Sequence, residues 1–250
     1  MKKSAVLIIL LMIFALGICG CSKKEEETSM IKVAVCPTSP PNMFEENGKY
    51  QGLDLELFEG FCKARGFKYS ITSYDWQGML GAVIGKQADV AFSAISITDK
   101  RKEVMDFSKP YMDNTWNLVS LKSRNIVIKD LAEIKKYSIG YPRGMAYSGF
   151  IKDKWEPQGV YKLIDVKLYP TYNEVLADLK NGKLDLAFVE GGVSMVYKKK
   201  MDIQDSYVLT GFDVFGFAFP KGSSLRENFD RYLTELGPVK LKAIIDKWMK

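Results

Sequence analysis

From Ile31 to the C-terminus, short runs of strand character alternate with segments whose apolar residues recur at helical spacing. That alternation restricts the chain to an α/β fold built on mainly parallel sheet. Ile31, Val33 and Val35 keep a two-residue period that breaks at the Pro37 to Pro41 turn. Leu57, Phe58, Phe61 and Cys62 make the apolar stripe of a helix expected over Leu53 to Arg65 and stopped by Gly66. Lys68 to Thr72 reads as a strand. Asp75 is placed to cap a helix from Trp76 to Ile84, which Gly85 ends, and a strand from Val90 to Ser93 follows at once. A further strand is expected over Tyr137 to Tyr141. Thr171 and Glu174 have the spacing of a capping box before Tyr172 to Lys180, and Leu184 to Val189 is the next strand. Ser224 and Glu227 repeat that spacing for a helix beginning at Leu225, whose Phe229, Leu233 and Leu236 belong in a core.

One joint occurs twice. Gly85-Lys86-Gln87-Ala88-Asp89-Val90-Ala91-Phe92 ends a helix and opens a strand, and Asn181-Gly182-Lys183-Leu184-Asp185-Leu186-Ala187-Phe188 does the same. The order of helix stop, Lys, Asp and apolar strand is shared, which points to two lobes of related architecture rather than a short tandem repeat.

The N-terminus carries a different message. Lys2 and Lys3 precede an apolar run from Ala5 to Cys19, shorter than the roughly 18 residues of a spanning helix. Ile18-Cys19-Gly20-Cys21 resembles a bacterial lipobox. Residues 1–20 are therefore expected to be a lipoprotein signal peptide, Cys21 the lipid-bearing (palmitate) residue, and 21–30 a flexible tether; an uncleaved membrane anchor is the alternative. The folded body then lies outside the cytoplasm, anchored at the cell envelope. Cys36 and Cys62 remain, and their apolar settings favour buried free thiols although export would permit a disulfide.

Composition excludes several chemistries. The chain has no histidine, so no imidazole base, Ser-His-Asp nucleophile or His-bearing zinc site can form. Its 36 basic and 30 acidic side chains include no basic tract that would mark a nucleic-acid partner. No metal or cofactor site is expected.

Candidate ligand contacts gather at strand ends, where open parallel sheets bind ligands. Ser93-Ala94-Ile95-Ser96-Ile97-Thr98 follows the first repeated strand, and Arg101 offers a planar fork suited to a carboxylate. Glu190 and Gly191-Gly192 follow the second, placing a carboxylate that could receive an ammonium. Pro142-Arg143-Gly144-Met145-Ala146 is a glycine turn opening a helix whose N–H groups favour an anion. Together these describe a receptor for a zwitterion. The plainer readings are an Arg101–Asp106 ion pair and a solvated loop acid at Glu190.

The stretch from Trp76 to Tyr111 resembles the signature region of the family 3 extracellular solute-binding proteins, the polar amino acid receptors of ABC importers. It carries Gly85-Lys86, Ala88-Asp89-Val90-Ala91, Ile95-Ser96-Ile97-Thr98, Arg101, Asp106-Phe107-Ser108 and Pro110-Tyr111 in that family's order. Gly48-Lys49-Tyr50 and Gly52-Leu53-Asp54 fit upstream. The resemblance implies a two-lobed periplasmic-binding-protein-like II fold with two hinge strands, near Thr115 to Val119 and Val214 to Ala218. Lobe 1 would span 31–114 plus 217–250, and lobe 2 115–216. It implies that Arg101 clamps a ligand α-carboxylate, with Ser96, the Ala94 backbone and the turn Gly144, Met145 and Ala146 around it. Trp76 would pack on the ligand, and Glu190 would bind its α-amino group. Two departures bear on ligand identity: Met145 replaces a usual hydroxyl residue, and Ser39-Pro40-Pro41 stands where an aromatic is common. Phe44, Tyr74 and Tyr147 are the candidates to supply that missing face. Trp155 and Trp248 are read as helix packing.

The resemblance implies a monomeric lipoprotein that binds an amino acid, serves an ABC transporter permease and carries no catalytic residue. Relatives of this fold include cyclohexadienyl and arogenate dehydratases, for which Glu190 would be the proton donor. A sensory lipoprotein is the third reading.

Overall fold

The computed structural model describes residues 30–250. The expected signal segment, Cys21 and the tether before Met30 lie outside the described residues. The chain enters through β1 (Ile31–Val35) and makes a small antiparallel meander of β2 (Thr38–Ser39), β3 (Met43–Glu46) and β4 (Lys49–Gln51). Then come α1 (Leu53–Arg65), β5 (Tyr69–Ser73), α2 (Trp76–Ile84), β6 (Val90–Phe92), α3 (Asp99–Lys102) and β7 (Asp106–Phe107). A second unit follows with β8 (Met112–Leu121), β9 (Ile139–Pro142), α4 (Tyr147–Phe150), β10 (Lys167–Tyr169), α5 (Tyr172–Lys180), β11 (Leu186–Glu190), α6 (Gly191–Lys198) and β12 (Ile203–Phe215). The chain returns through β13 (Ala218–Phe219) and ends in α7 (Ser224–Trp248).

Two five-stranded sheets result, ordered β5-β1-β6-β13-β7 and β10-β9-β11-β8-β12. They share one plan. In each, a strand is flanked by parallel neighbours (β1 by β5 and β6, β9 by β10 and β11), and the fourth strand runs antiparallel to the third. The repeated joint enters the third strand of both. Lys86 and Gly182 take the same left-handed conformation, φ 56° and 69°, after the helix stop. Asp89 then accepts the Lys32 N–H at 2.8 Å, and Asp185 accepts the Ser138 N–H at 2.9 Å. The shared Asp thus stitches the third strand to its neighbour in both sheets.

Local signals act mostly as the sequence predicts. Asp75 caps α2 by accepting from Gly78 N at 2.6 Å, and Gly66 ends α1 at φ 70°. The two capping boxes differ. Thr171 accepts from Asn173 N at 3.1 Å, but Glu174 takes the Thr171 hydroxyl rather than a backbone N–H. At α7 the box is absent: a turn closed by Ser223 N to Pro220 O puts Ser223 at the cap, with no side-chain bond, and draws Ser224 into the helix. Gly237, at φ 72° before Pro238, breaks α7.

Two buried clusters hold the sheets. Phe58, Phe61, Phe92, Phe217 and Phe229 fill one within the first unit, and Tyr141, Tyr147, Trp155 and Phe188 belong to a second that continues from the second sheet to Ala34, Met79 and Ala91 of the first unit. Each such ring is worth about 1.5–3 kcal/mol of burial. Cys36 and Cys62 are both buried free thiols. The sheets are joined where Ser108 N and Tyr111 N bond Phe217 O and Phe215 O, at 2.9 and 3.1 Å. The first passage falls earlier than the expected Thr115 to Val119, because Trp116 to Val119 already pair with β11 inside the second sheet.

Candidate functional site

Leaving β6, the chain from Ser93 to Ile97 runs against the returning strand: Gly216 N bonds Ile95 O, and Ile97 N bonds Val214 O, both at 3.0 Å. Ala94 adopts φ 55°, rare for a residue with a side chain. Asp54 holds it there, accepting the Ala94 N–H at 2.7 Å, the Tyr111 hydroxyl at 2.6 Å and the Asn42 amide at 3.1 Å. Burial pushes Asp54 up to about 6 despite those donors.

Thr98 caps α3 by accepting Arg101 N at 3.3 Å, which turns the Arg101 side chain back toward the strand end. Its guanidinium donates to Ser96 O at 2.8 Å and to Gly144 O, on the second sheet's side, at 3.0 Å. Arg101 Cζ also sits 5.5 Å from the centre of the Trp76 ring, within cation–π range. Trp76, first residue of α2, donates Nε1–H to the same Gly144 carbonyl at 3.1 Å. Gly144 has φ 80°, and a Cβ there would lie 2.8 Å from Trp76 Cδ1, so both conformation and space call for glycine.

Met145 is buried and Ala146 half-buried. With Arg101 and Gly144 they line a cleft of about 800 Å³. Ser96 is buried beside it and donates its hydroxyl to Asp213 Oδ2 at 3.2 Å.

Glu190, the last residue of β11, is 2% exposed. Asn114 Nδ2 donates to its Oε2 and, at 2.6 Å, to Asp213 Oδ2; Trp116 Nε1 donates to the same Asp213 oxygen at 2.7 Å. Glu190 Oε1 is buried with no hydrogen-bond partner among the described residues. Burial first, and the charge of Asp213 second, push Glu190 up to about 8. Burial raises Asp213 as well, while desolvation lowers Arg101, whose guanidinium stays charged.

The structure thus brings Trp76, Ser96, Arg101 and Gly144 into one bonded group across the two sheets, with Met145 and Ala146 beside it. Ala94 contributes backbone geometry, and Glu190 lies beneath, connected through Asn114 and Asp213. The plainer readings of Arg101 and Glu190 do not hold: Asp106 pairs with Lys221 at 2.9 Å, and Glu190 is buried. None of the three aromatic candidates lines the cleft. Phe44 packs edge-on to Trp248, Tyr147 stacks fully buried on Phe188 at 4.3 Å, and Tyr74 lies against the start of α2. The Ser39 to Pro41 loop abuts the second unit, where a Cβ on Gly192 would come within 2.8 Å of Pro41 Cδ.

Sequence reasoning missed Asn114, Trp116, Phe150, Phe212 and Asp213. One signal was available: Asp213 is the lone charge in Phe212-Asp213-Val214-Phe215-Gly216-Phe217-Ala218-Phe219, and a lone acid in an apolar strand needs a polar partner.

Among the described residues, no cluster of three His, Cys, Asp or Glu side chains could hold a metal ion, and no helix is long and apolar enough to cross a membrane. The probable amino-acid-binding protein YxeM of Bacillus subtilis (strain 168) is 26% identical over 244 residues, covering 94% of this chain and 90% of that protein. The L-cystine-binding protein TcyJ of Escherichia coli (strain K12) is 27% identical over 237 residues, covering 92% and 86%. An ancestral arginine-binding protein, solved with arginine bound, superposes with a TM-score of 0.79 at 28% identity, covering 88% of this chain and 98% of that one. The match to the family model runs over residues 31–250. With two like sheets, a cleft between them and that match, the chain belongs to the bacterial extracellular solute-binding proteins, family 3.

Proposed function

We propose that the protein captures an amino acid, or a similar zwitterion, between two closing lobes and hands it to the permease of an ABC importer. The lobes in this reading are residues 31–114 with 217–250, and residues 115–216. Arg101 clamps the α-carboxylate, assisted by Ser96, the Ala94 backbone and the Gly144 to Ala146 turn. Trp76 covers the ligand, and Glu190 receives the α-ammonium. The observation that carries the reading is the pairing of a two-pronged guanidinium at the cleft with a buried carboxylate whose Oε1 lacks a partner. Support also comes from the relatives, whose names describe amino-acid-, cystine- and arginine-binding proteins. In the same reading the protein is a binding protein rather than an enzyme. Residues 1–20 are removed, Cys21 carries lipid, and a monomeric body is anchored to a bacterial membrane outside the cytoplasm.

A thermal-shift screen of residues 30–250 against the twenty amino acids tests this. A ligand at about 1,000 times its dissociation constant adds about 4 kcal/mol. One or a few amino acids should raise the melting temperature; silence across all of them would remove the reading. Labelled palmitate entering the full chain, and not its Cys21→Ala variant, tests the anchor.

One observation favours a second reading. A Glu190 pushed up to about 8 holds its proton at neutral pH, as a general acid must. A dehydratase acting on arogenate or prephenate would use it, and formation of an aromatic product would decide for that activity.

A further inference from the structure

Two buried carboxylates, Glu190 and Asp213, share the amide of Asn114, and neither forms an ion pair with any described residue. The cation near them, Arg101, gives one Nη1 and one Nη2 donor to Ser96 O and Gly144 O and bonds neither carboxylate. Asp213 Oδ2 is saturated by Ser96, Asn114 and Trp116, whereas its Oδ1 accepts no hydrogen bond from a described residue. Asp213 lines the cleft; Glu190, with its unpartnered Oε1, does not. Once a ligand ammonium displaces the Glu190 proton, one guanidinium faces two carboxylates, and a single negative charge is left that a zwitterion, itself neutral, cannot balance.

The walls around Asp213 have a matching character. Trp116 meets Phe212 edge-on at 4.8 Å and Phe150 edge-on at 5.4 Å, and Phe150 stacks on Phe212 at 5.3 Å. All three line the cleft with Ile97 and Met145, and Phe212 remains 47% exposed. Aromatic faces beside a carboxylate suit a cation on a flexible apolar stem, through cation–π attraction and cover for the stem. These rings also supply, from the second unit and the returning strand, the aromatic surface that Ser39-Pro40-Pro41 does not.

We infer that Asp213 is the counter-charge for a cation on the ligand's side chain, so that the cleft takes a basic amino acid with a guanidinium or ammonium end. This rests on the reading of the protein as an amino acid receptor. In this assignment the α groups sit at Arg101 and Glu190, and the side chain extends along the cleft toward the Oδ1 of Asp213 and the three rings.

Calorimetric titration with two matched pairs, arginine against citrulline and lysine against norleucine, tests the assignment, because each pair keeps chain length and changes charge. The wild-type chain should bind the charged member of at least one pair at least about tenfold more tightly. Asp213→Asn keeps an oxygen for Ser96, Asn114 and Trp116 but removes the charge. It should lose at least about tenfold more affinity for that charged member than for its neutral partner. Equal binding within both pairs by the wild type would overturn the inference without any variant. Equal losses for both members in Asp213→Asn would also overturn it, leaving Asp213 a pin of the returning strand. If other amino acids bind and none of these four does, the inference fails while the receptor reading stands. If no amino acid binds, both fail.

Discussion

Trp76 and Gly144 meet across the cleft with the indole N–H on the glycine carbonyl and no room for a Cβ between them. That contact, with the Arg101 bond to the same oxygen, is a direct link between the two units. Gly144→Ala adds both a clash and a left-handed alanine, the latter costing about 1–2 kcal/mol. It should weaken ligand binding about tenfold or more, read by calorimetric titration, and shift small-angle scattering toward a more open form.

Arg101→Ala should cost at least about 2 kcal/mol of ligand binding, the scale for stranding one partner of a buried charge pair. Arg101→Lys should restore little, because an ammonium cannot span the geometry of the fork. Titration with the best ligand of the thermal screen measures both. Wild-type affinity in Arg101→Ala would remove the carboxylate clamp.

Glu190 gives the binding a pH dependence of known sign. Its carboxyl, ordinarily near 4.5, is pushed up to about 8, so the ligand-free site holds a proton at neutral pH. An ammonium favours the ionised form and displaces that proton. Affinity for amino acids should therefore rise between about pH 6 and 8 and level off above, with proton release visible in buffers of different ionisation enthalpy. Glu190→Gln should flatten the profile and weaken amino acids, yet spare analogues that lack the α-amino group.

The same shifts act on folding in the opposite direction. Glu190 and Asp54, raised to about 8 and about 6 from 4.5 and 3.8, bind protons in the fold that the unfolded chain has released. Ligand-free stability should fall as pH climbs from about 4 through 8. Asp185 and Asp205, held below their usual range, oppose this only at more acid pH. Melting temperatures across that range, with and without ligand, check the sign.

Lys86 and Gly182 offer a paired backbone test. Both occupy the same left-handed position, and an added Cβ at Gly182 would meet nothing within 4 Å. Lys86→Gly should stabilise the protein by about 0.5–1 kcal/mol, and Gly182→Ala should destabilise it by about 1 kcal/mol. Denaturant unfolding of each variant gives the values.

Much of the architecture was legible because it is written locally. The helix over Leu53 to Arg65 follows from an apolar stripe and a glycine stop, and the repeated Asp89 and Asp185 joints mark equivalent strands of two sheets. Arg101 and Glu190 were legible from their places at strand ends. The capping box at Ser224 was not, because the turn at Pro220 resets the helix start by one residue. Asn114, Trp116 and Asp213 escaped for a different reason. They lie on β8 and β12 of the second sheet and become neighbours only when residues 99 apart in the chain pair, as Asn114 and Asp213 do. No local pattern encodes that meeting.

The returning strand β13 has a consequence for how the protein is made. The first sheet is incomplete without Ala218 and Phe219, and its aromatic core needs Phe217 and Phe229 against Phe58 and Phe92. The second sheet uses only residues between Met112 and Phe215. As the chain emerges N-terminus first, the middle can consolidate while the beginning waits for the end. The N-terminal unit is therefore the last to acquire its native core.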